Sequence, residues 1–304
     1  MRIASSQFQA SMNRSLSINQ TVIAKLTEQM ATGNKIQVPS DEPIANVRLS
    51  RLRREENIVG QYIENIDAVK IRLSKNETYL NSMVDDMGAA RDLFVWASDG
   101  SNTPADLNSM VNSLSSLRDS LFFNGNTRDQ EGKYIFSGTL TSTPALSFNA
   151  AAAVGSRYTY TGNNGSQDVV VGNGVTQPAN VTVSGMETYL NQLDVAINML
   201  GQPTVDPSDP VLKAALKTAL DGTDTALGTI SSKIAQFGGA QNVMETLVNS
   251  HNNVSLSNKM AITDIAQLDY GLAATQLSGY NTALQATYQA YAKVSNLSLF
   301  NVLT

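Results

Sequence analysis

The sequence predicts an α+β protein in which the N- and C-terminal regions form a long coiled-coil-like helical rod, with a small β-rich domain inserted in the middle. Three observations predict it. Apolar residues recur at alternating spacings of three and four over long stretches at both ends. From Tyr134 the period changes to two. Charge is also unevenly divided: residues 1–133 hold 15 Lys or Arg and 16 Asp or Glu, residues 134–210 hold 1 and 5, and residues 211–304 hold 5 and 5. The expected boundaries are a helical region over 1–133, a β-rich insertion over 134–185 and a second helical region over 186–304 packing on the first.

In the first region Met12, Leu16, Asn19, Ile23, Leu26 and Met30 lie on one helical stripe with coiled-coil spacing. Gly33 suits the left-handed position that ends such a helix. Pro39 keeps the following segment extended, Ser40 or Asp41 can cap a new helix, and Pro43 fits its first turn. The next pattern runs from Val59 through Ile66, Leu73, Leu80, Met87 and Phe94 without proline. A helix from about Ile44 to Ser98 would extend about 80 Å at 1.5 Å per residue. Such a rod needs long neighbours. Asn76 falls inside its apolar seam, where one polar residue can set register.

A break at Asn102-Thr103-Pro104 is followed by a shorter helix with Met110, Leu114, Leu117 and Leu121, ended by Asn124-Gly125-Asn126. In the middle, Tyr158 and Tyr160 alternate with polar neighbours. Gly162-Asn163-Asn164-Gly165 turns the chain to be answered by Val169-Val170-Val171, and Gly172-Asn173-Gly174 turns it again before Val181-Thr182-Val183. Helical spacing resumes near Met186 and reads as one or two long helices after the 202–210 loop. Leu227, Ile230, Ile234 and Phe237 form a seam interrupted at Gly238-Gly239, and Leu277, Tyr280, Leu284, Thr287, Tyr291, Val294 and Ser298 form another. The terminal seams, with Met12, Leu16, Ile23, Leu26 and Met30 on one side and Leu277, Leu284, Tyr291 and Phe300 on the other, are expected to bury each other or a neighbouring subunit.

Composition excludes most chemistry. Among 304 residues there is no Cys, so thiol nucleophiles, disulfides and Cys-based zinc sites are absent, and the single His, His251, has no second His to form a ligand set. No catalytic residue, cofactor or metal ligand is expected, and His251 reads as incidental. Asp85-Asp86 and Glu55-Glu56 are helix neighbours that do not face one another, and read as solvated surface. A formal charge of −5, with Arg48, Arg51, Arg53 and Arg54 flanked by acids and free of interleaved aromatics, argues against nucleic-acid binding. No run approaches the roughly 20 apolar residues of a membrane span, and the N-terminus lacks the apolar core of a secretion signal.

Three stretches carry a family likeness. Met1-Arg2-Ile3, the run Leu26-Thr27-Glu28-Gln29-Met30-Ala31-Thr32-Gly33-Asn34-Lys35-Ile36, and Pro39-Ser40-Asp41-Glu42-Pro43-Ile44-Ala45 resemble the amino-terminal region of bacterial flagellins and their junction relatives. Leu297-Ser298-Leu299-Phe300-Asn301-Val302-Leu303 resembles the matching carboxyl-terminal region. Pro39, Ser40, Asp41 and Pro43, together with Gly132-Lys133-Tyr134-Ile135-Phe136-Ser137-Gly138, resemble the hook-associated protein 3 branch more than filament flagellin, which is the alternative. Ala31-Thr32-Gly33 departs from the branch's usual Ser-Ser-Gly but keeps the glycine cap. The resemblance implies a non-enzymatic structural subunit exported through the flagellar type III apparatus without a cleaved signal peptide, with an export chaperone, and placed outside the cell on the flagellum. Its implied partners are copies of itself in a ring, the first hook-associated junction protein and flagellin, with no nucleic acid and no membrane insertion.

Overall fold

The computed structural model describes the backbone of residues 2–300 and the side-chain surroundings of residues 7–293. Among the described residues the chain forms six helices and four short strands: α1 (Arg2–Thr32), α2 (Pro43–Ala97), α3 (Pro104–Gly125), β1 (Leu146–Phe148), β2 (Tyr158–Tyr160), β3 (Asp168–Gly172), β4 (Val175–Pro178), α4 (Met186–Leu200), α5 (Pro210–Ala266) and α6 (Tyr270–Phe300). The α+β class read from the pattern is the class observed. Two compact units divide the chain. One comprises residues 1–59 with 253–304, and the other residues 60–252.

The larger unit holds a closed core. The α2 seam from Ile66 to Phe94 is no more than 1% exposed at every predicted position, Asn76 included. It packs against Leu107, Met110, Leu114 and Leu121 of α3, Leu190 and Leu193 of α4, and Leu216 and Ile230 of α5. Thr103 caps α3 through a reciprocal pair with Asp106, whose carboxyl the Thr103 side chain and backbone hold below the usual aspartate range. Asp86 is not surface: its Oδ2 accepts hydrogen bonds from Ser120 Oγ at 2.7 Å and Asn124 Nδ2 at 3.5 Å, tying α2 to α3.

Helix α5 passes through Gly238 and Gly239 without interruption. The two glycines cost roughly 2 kcal/mol relative to alanine. Ile230, Phe237 and Met244, one heptad apart on one face, are all buried, and each contributes about 1.5–3 kcal/mol. Burial therefore outweighs the local propensity that suggested a break.

The strand pairing also differs from the expected one. β2 pairs antiparallel with β1 rather than with β3, and β3 turns at Gly172-Asn173-Gly174 into β4 rather than into 181–183. Two asparagines hold the segment between β2 and β3. Asn163 Oδ1 accepts from Thr139 N and Gly165 N, and Asn180 accepts from Gln167 N while donating to Gly165 O. Within the strands themselves, side chains hold Tyr158 N and O, Val170 O and Val171 O, backbone groups that a ladder between β2 and β3 would otherwise draw on.

Both hairpins are seated on helices through polar contacts. Asn191 of α4 accepts from Tyr158 N at 2.9 Å and donates to Tyr158 O at 2.8 Å. Beside it Asp194, 2% exposed, lies between Arg118 of α3 at 3.3 Å and Arg157 of the insertion at 3.5 Å, and also accepts from Gly155 N. Asn65 Nδ2 donates to Val170 O at 2.8 Å, and Arg72 donates to Gln167 Oε1 at 2.7 Å. Removing one partner of a buried ion pair leaves uncompensated charge. Asp194→Ala is expected to cost about 3 kcal/mol in urea unfolding of the full chain, whereas Asp119→Ala, whose exposed carboxylate pairs with the same arginine, is expected to cost under about 1 kcal/mol.

Candidate functional site

The smaller unit is organised around two chain reversals. Gly33 follows α1 with φ +71°, the left-handed conformation glycine adopts without strain, and its N–H closes on Gln29 O at 2.8 Å. The turn it starts bonds backbone to backbone with the turn between α5 and α6. Leu268 N donates to Gly33 O at 3.0 Å and Lys35 N to Ala266 O at 2.8 Å. Tyr270 Oη then donates to Met30 O at 3.2 Å.

Asp41, a residue of the family motif, does not cap α2. Its carboxylate reaches backward: Oδ1 accepts from Lys25 Nζ at 2.7 Å, while Oδ2 accepts from Gln37 N at 3.2 Å and Val38 N at 3.3 Å. The Lys25 ammonium, helped by these backbone donors, holds the carboxyl below the ordinary aspartate value of 3.8. Ser40 and Pro39 are exposed, and Pro43 opens α2 beside a groove of about 440 Å³ lined by Ile44, Ala45, Arg48 and Ile265.

The paired turns send α1 and α6 along one another. Besides the Tyr270–Met30 contact, Gln20 Nε2 donates to Tyr288 Oη at 3.0 Å, so residues near the end of α1 meet the start of α6 and earlier residues meet later ones. This antiparallel pairing brings the predicted seams together. Leu26 is buried, at 7% exposure, while Met12, Leu16, Ile23, Met30, Leu277, Leu284 and Tyr291 are half-buried among mostly exposed neighbours. The side chain of Phe300, with those of Val294 and Ser298, lies outside the described residues. Two helices alone screen each seam from one side.

No group of three or more His, Asp or Glu is gathered as a metal site among the described residues. A cavity of about 400 Å³ lies between α4 and α5, lined by Met186, Tyr189, Gln192, Asp221, Thr225 and Ile230. Burial pushes the Tyr189 hydroxyl up to about 12, so it stays protonated. His251 is not incidental: its Nε2 lies 2.8 Å from Val171 O and its ring 5.4 Å from that of Tyr62, which fastens β3 to α5 and α2. Sequence patterning missed it because its partners are remote in sequence. Among the described residues, no helix is long and apolar enough to cross a membrane.

Comparison with known proteins places this architecture. The model of the bacterial flagellin N-terminal helical region matches residues 3–141, and that of the flagellin C-terminal helical region matches residues 220–303. Flagellar hook-associated protein 3 of Escherichia coli strain K12 is 28% identical over 318 residues, spanning 99% of both chains. A solved flagellar hook-associated protein of Vibrio parahaemolyticus is 31% identical with a TM-score of 0.67, covering 75% of this chain and 100% of that one. A flagellar junction protein of Legionella pneumophila, 15% identical, shares the fold with a TM-score of 0.59 over 72% of this chain and 100% of its own.

Two outcomes test the turn geometry. Gly33→Ala must hold an L side chain at positive φ, with its Cβ 3.0 Å from Tyr270 Oη, and is expected to cost about 1–2 kcal/mol in thermal unfolding. Because the Asp41 carboxyl is depressed in the folded state, its contribution is present above the unfolded value and is lost as pH falls through the folded one. The Tm gap between the native chain and Asp41→Asn should therefore persist at neutral pH and close below about pH 4; a gap that widened in acid would contradict the clasp.

Proposed function

Because the chain belongs to the bacterial flagellin family, in its hook-associated protein 3 branch, we propose that it is a structural subunit of the flagellum that joins hook to filament and is needed for filament attachment and growth. The observation that carries this reading is the end-to-end correspondence with hook-associated protein 3, over 99% of both chains. Filament flagellin, the other reading of the shared terminal regions, is the less favoured one on the same ground.

In this role the chain performs no catalysis. It forms a ring with copies of itself, with the first hook-associated junction protein on one side and flagellin on the other. An export chaperone and the type III apparatus deliver it outside the cell without a cleaved signal. The absence of Cys suits a chain threaded out before folding, since no thiol can cross-link on the way. The half-buried seams of α1 and α6 support the assembly role, as neighbouring helices would complete their burial. Met12, Leu16, Ile23, Leu26, Met30, Leu277, Leu284, Tyr291 and Phe300 are the assembly residues in this reading. Pro39, Ser40, Asp41 and Pro43 shape the turn that precedes α2.

Cells lacking this chain are expected to release flagellin into the medium instead of building filaments; normal filaments in such cells would sink the proposal. Leu284→Asp buries a carboxylate in an apolar seam. It is expected to fail to restore filaments while residues 60–252 keep their unfolding transition.

A further inference from the structure

Two faces of the smaller unit remain uncovered by its own chain. On α2, Ile44, Val47, Arg51, Arg54 and Ile58 follow a 3-4-3-4 spacing, and the three apolar members are 89%, 64% and 45% exposed. On α5, Leu256 and Met260 are 59% and 61% exposed, with Asp264 exposed one turn further along the same face. Helical faces with this period are built to receive another helix.

Their charges differ in sign. Arg51 and Arg54, with Arg48 beside them, have no ion-pair partner among the described residues, and neighbouring Glu55 offsets only one of the three. Asp264 is likewise unpaired there, whereas Lys259, the cation nearest the α5 face, is engaged by Glu56 at 3.3 Å. Two α2 faces brought together would set arginines against arginines. An α2 face against an α5 face pairs apolar with apolar and basic with acidic.

We propose that the α2 face (Ile44, Val47, Arg51, Arg54 and Ile58) of one copy docks on the α5 face (Leu256, Met260 and Asp264) of the next copy. The contact uses two different patches, so it is heterologous, and repetition carries it from copy to copy around a ring. It rests on the junction reading, for which it names the surface between subunits.

The absence of Cys makes the test free of background. Full-length chains carrying Val47→Cys with one tag and Met260→Cys with another are co-expressed in cells lacking the native chain. Flagella with their hooks are then isolated and treated with a short bismaleimide. A cross-linked dimer bearing both tags is expected, and neither variant expressed alone should yield a dimer. Adding Arg51→Glu and Arg54→Glu to the Val47→Cys chain should lower the mixed product on the order of tenfold, and Asp264→Lys in the Met260→Cys chain should recover it. Chains present at the hook end without the mixed dimer, or a Val47→Cys dimer formed alone, overturn the contact and leave the junction reading standing. Chains absent from the hook end overturn both.

Discussion

The backbone pairing of two turns governs the terminal unit. Leu268 N on Gly33 O and Lys35 N on Ala266 O hold together segments more than 200 residues apart, and every helix of the smaller unit enters or leaves one of these turns. Once they are joined, α1 and α6 have one antiparallel course available, and their apolar stripes coincide. Tyr270 and Gln20 secure that course with side-chain hydrogen bonds to Met30 and Tyr288. The glycine conformation at 33 and the Asp41 clasp on Lys25, Gln37 and Val38 matter because they hold the turn in the form that makes the pairing.

The two units solve the burial problem differently. In residues 60–252 the long seam of α2 meets α3, α4 and α5, and side chains from Ile66 to Phe94 are removed from water by the chain itself. In the smaller unit Leu26, Leu49, Val59, Ala266 and Ala273 are the buried apolar residues among those described, and each keeps some exposure. A helix with apolar residues on more than one side needs more neighbours than a single partner provides. The described part of the chain leaves such faces open.

Polar groups, rather than a continuous sheet, hold the inserted strands. Four strands of three to five residues form two separate hairpins, too little sheet to be stable alone. Asn191, Asp194, Asn65 and His251 compensate by reaching from the helices to the hairpin backbones and to Arg157. This explains how a nearly uncharged segment carries one arginine where it does. It also gives the single histidine a structural part that no ligand count could have suggested.

Helix limits were legible in the sequence because caps and periodicity are local: Thr32-Gly33, Pro43 and Thr103-Pro104 mark ends that the structure keeps. The seam residues were legible for the same reason, and the family likeness followed from contiguous motifs. Strand partners were not, because the side chains that hold the strand backbones, Asn191 on Tyr158, Asn65 on Val170 and His251 on Val171, are remote in sequence and alternation does not reveal them. Nor was the continuity of α5 through Gly238-Gly239, which burial of Phe237 and Met244 on the same face decides. The sequence by itself determined which regions would be helical and which stripes would seek cover. Only the tertiary structure decided which stripes meet and which stay open, since that choice depends on contacts such as Gln20 with Tyr288, 268 positions apart.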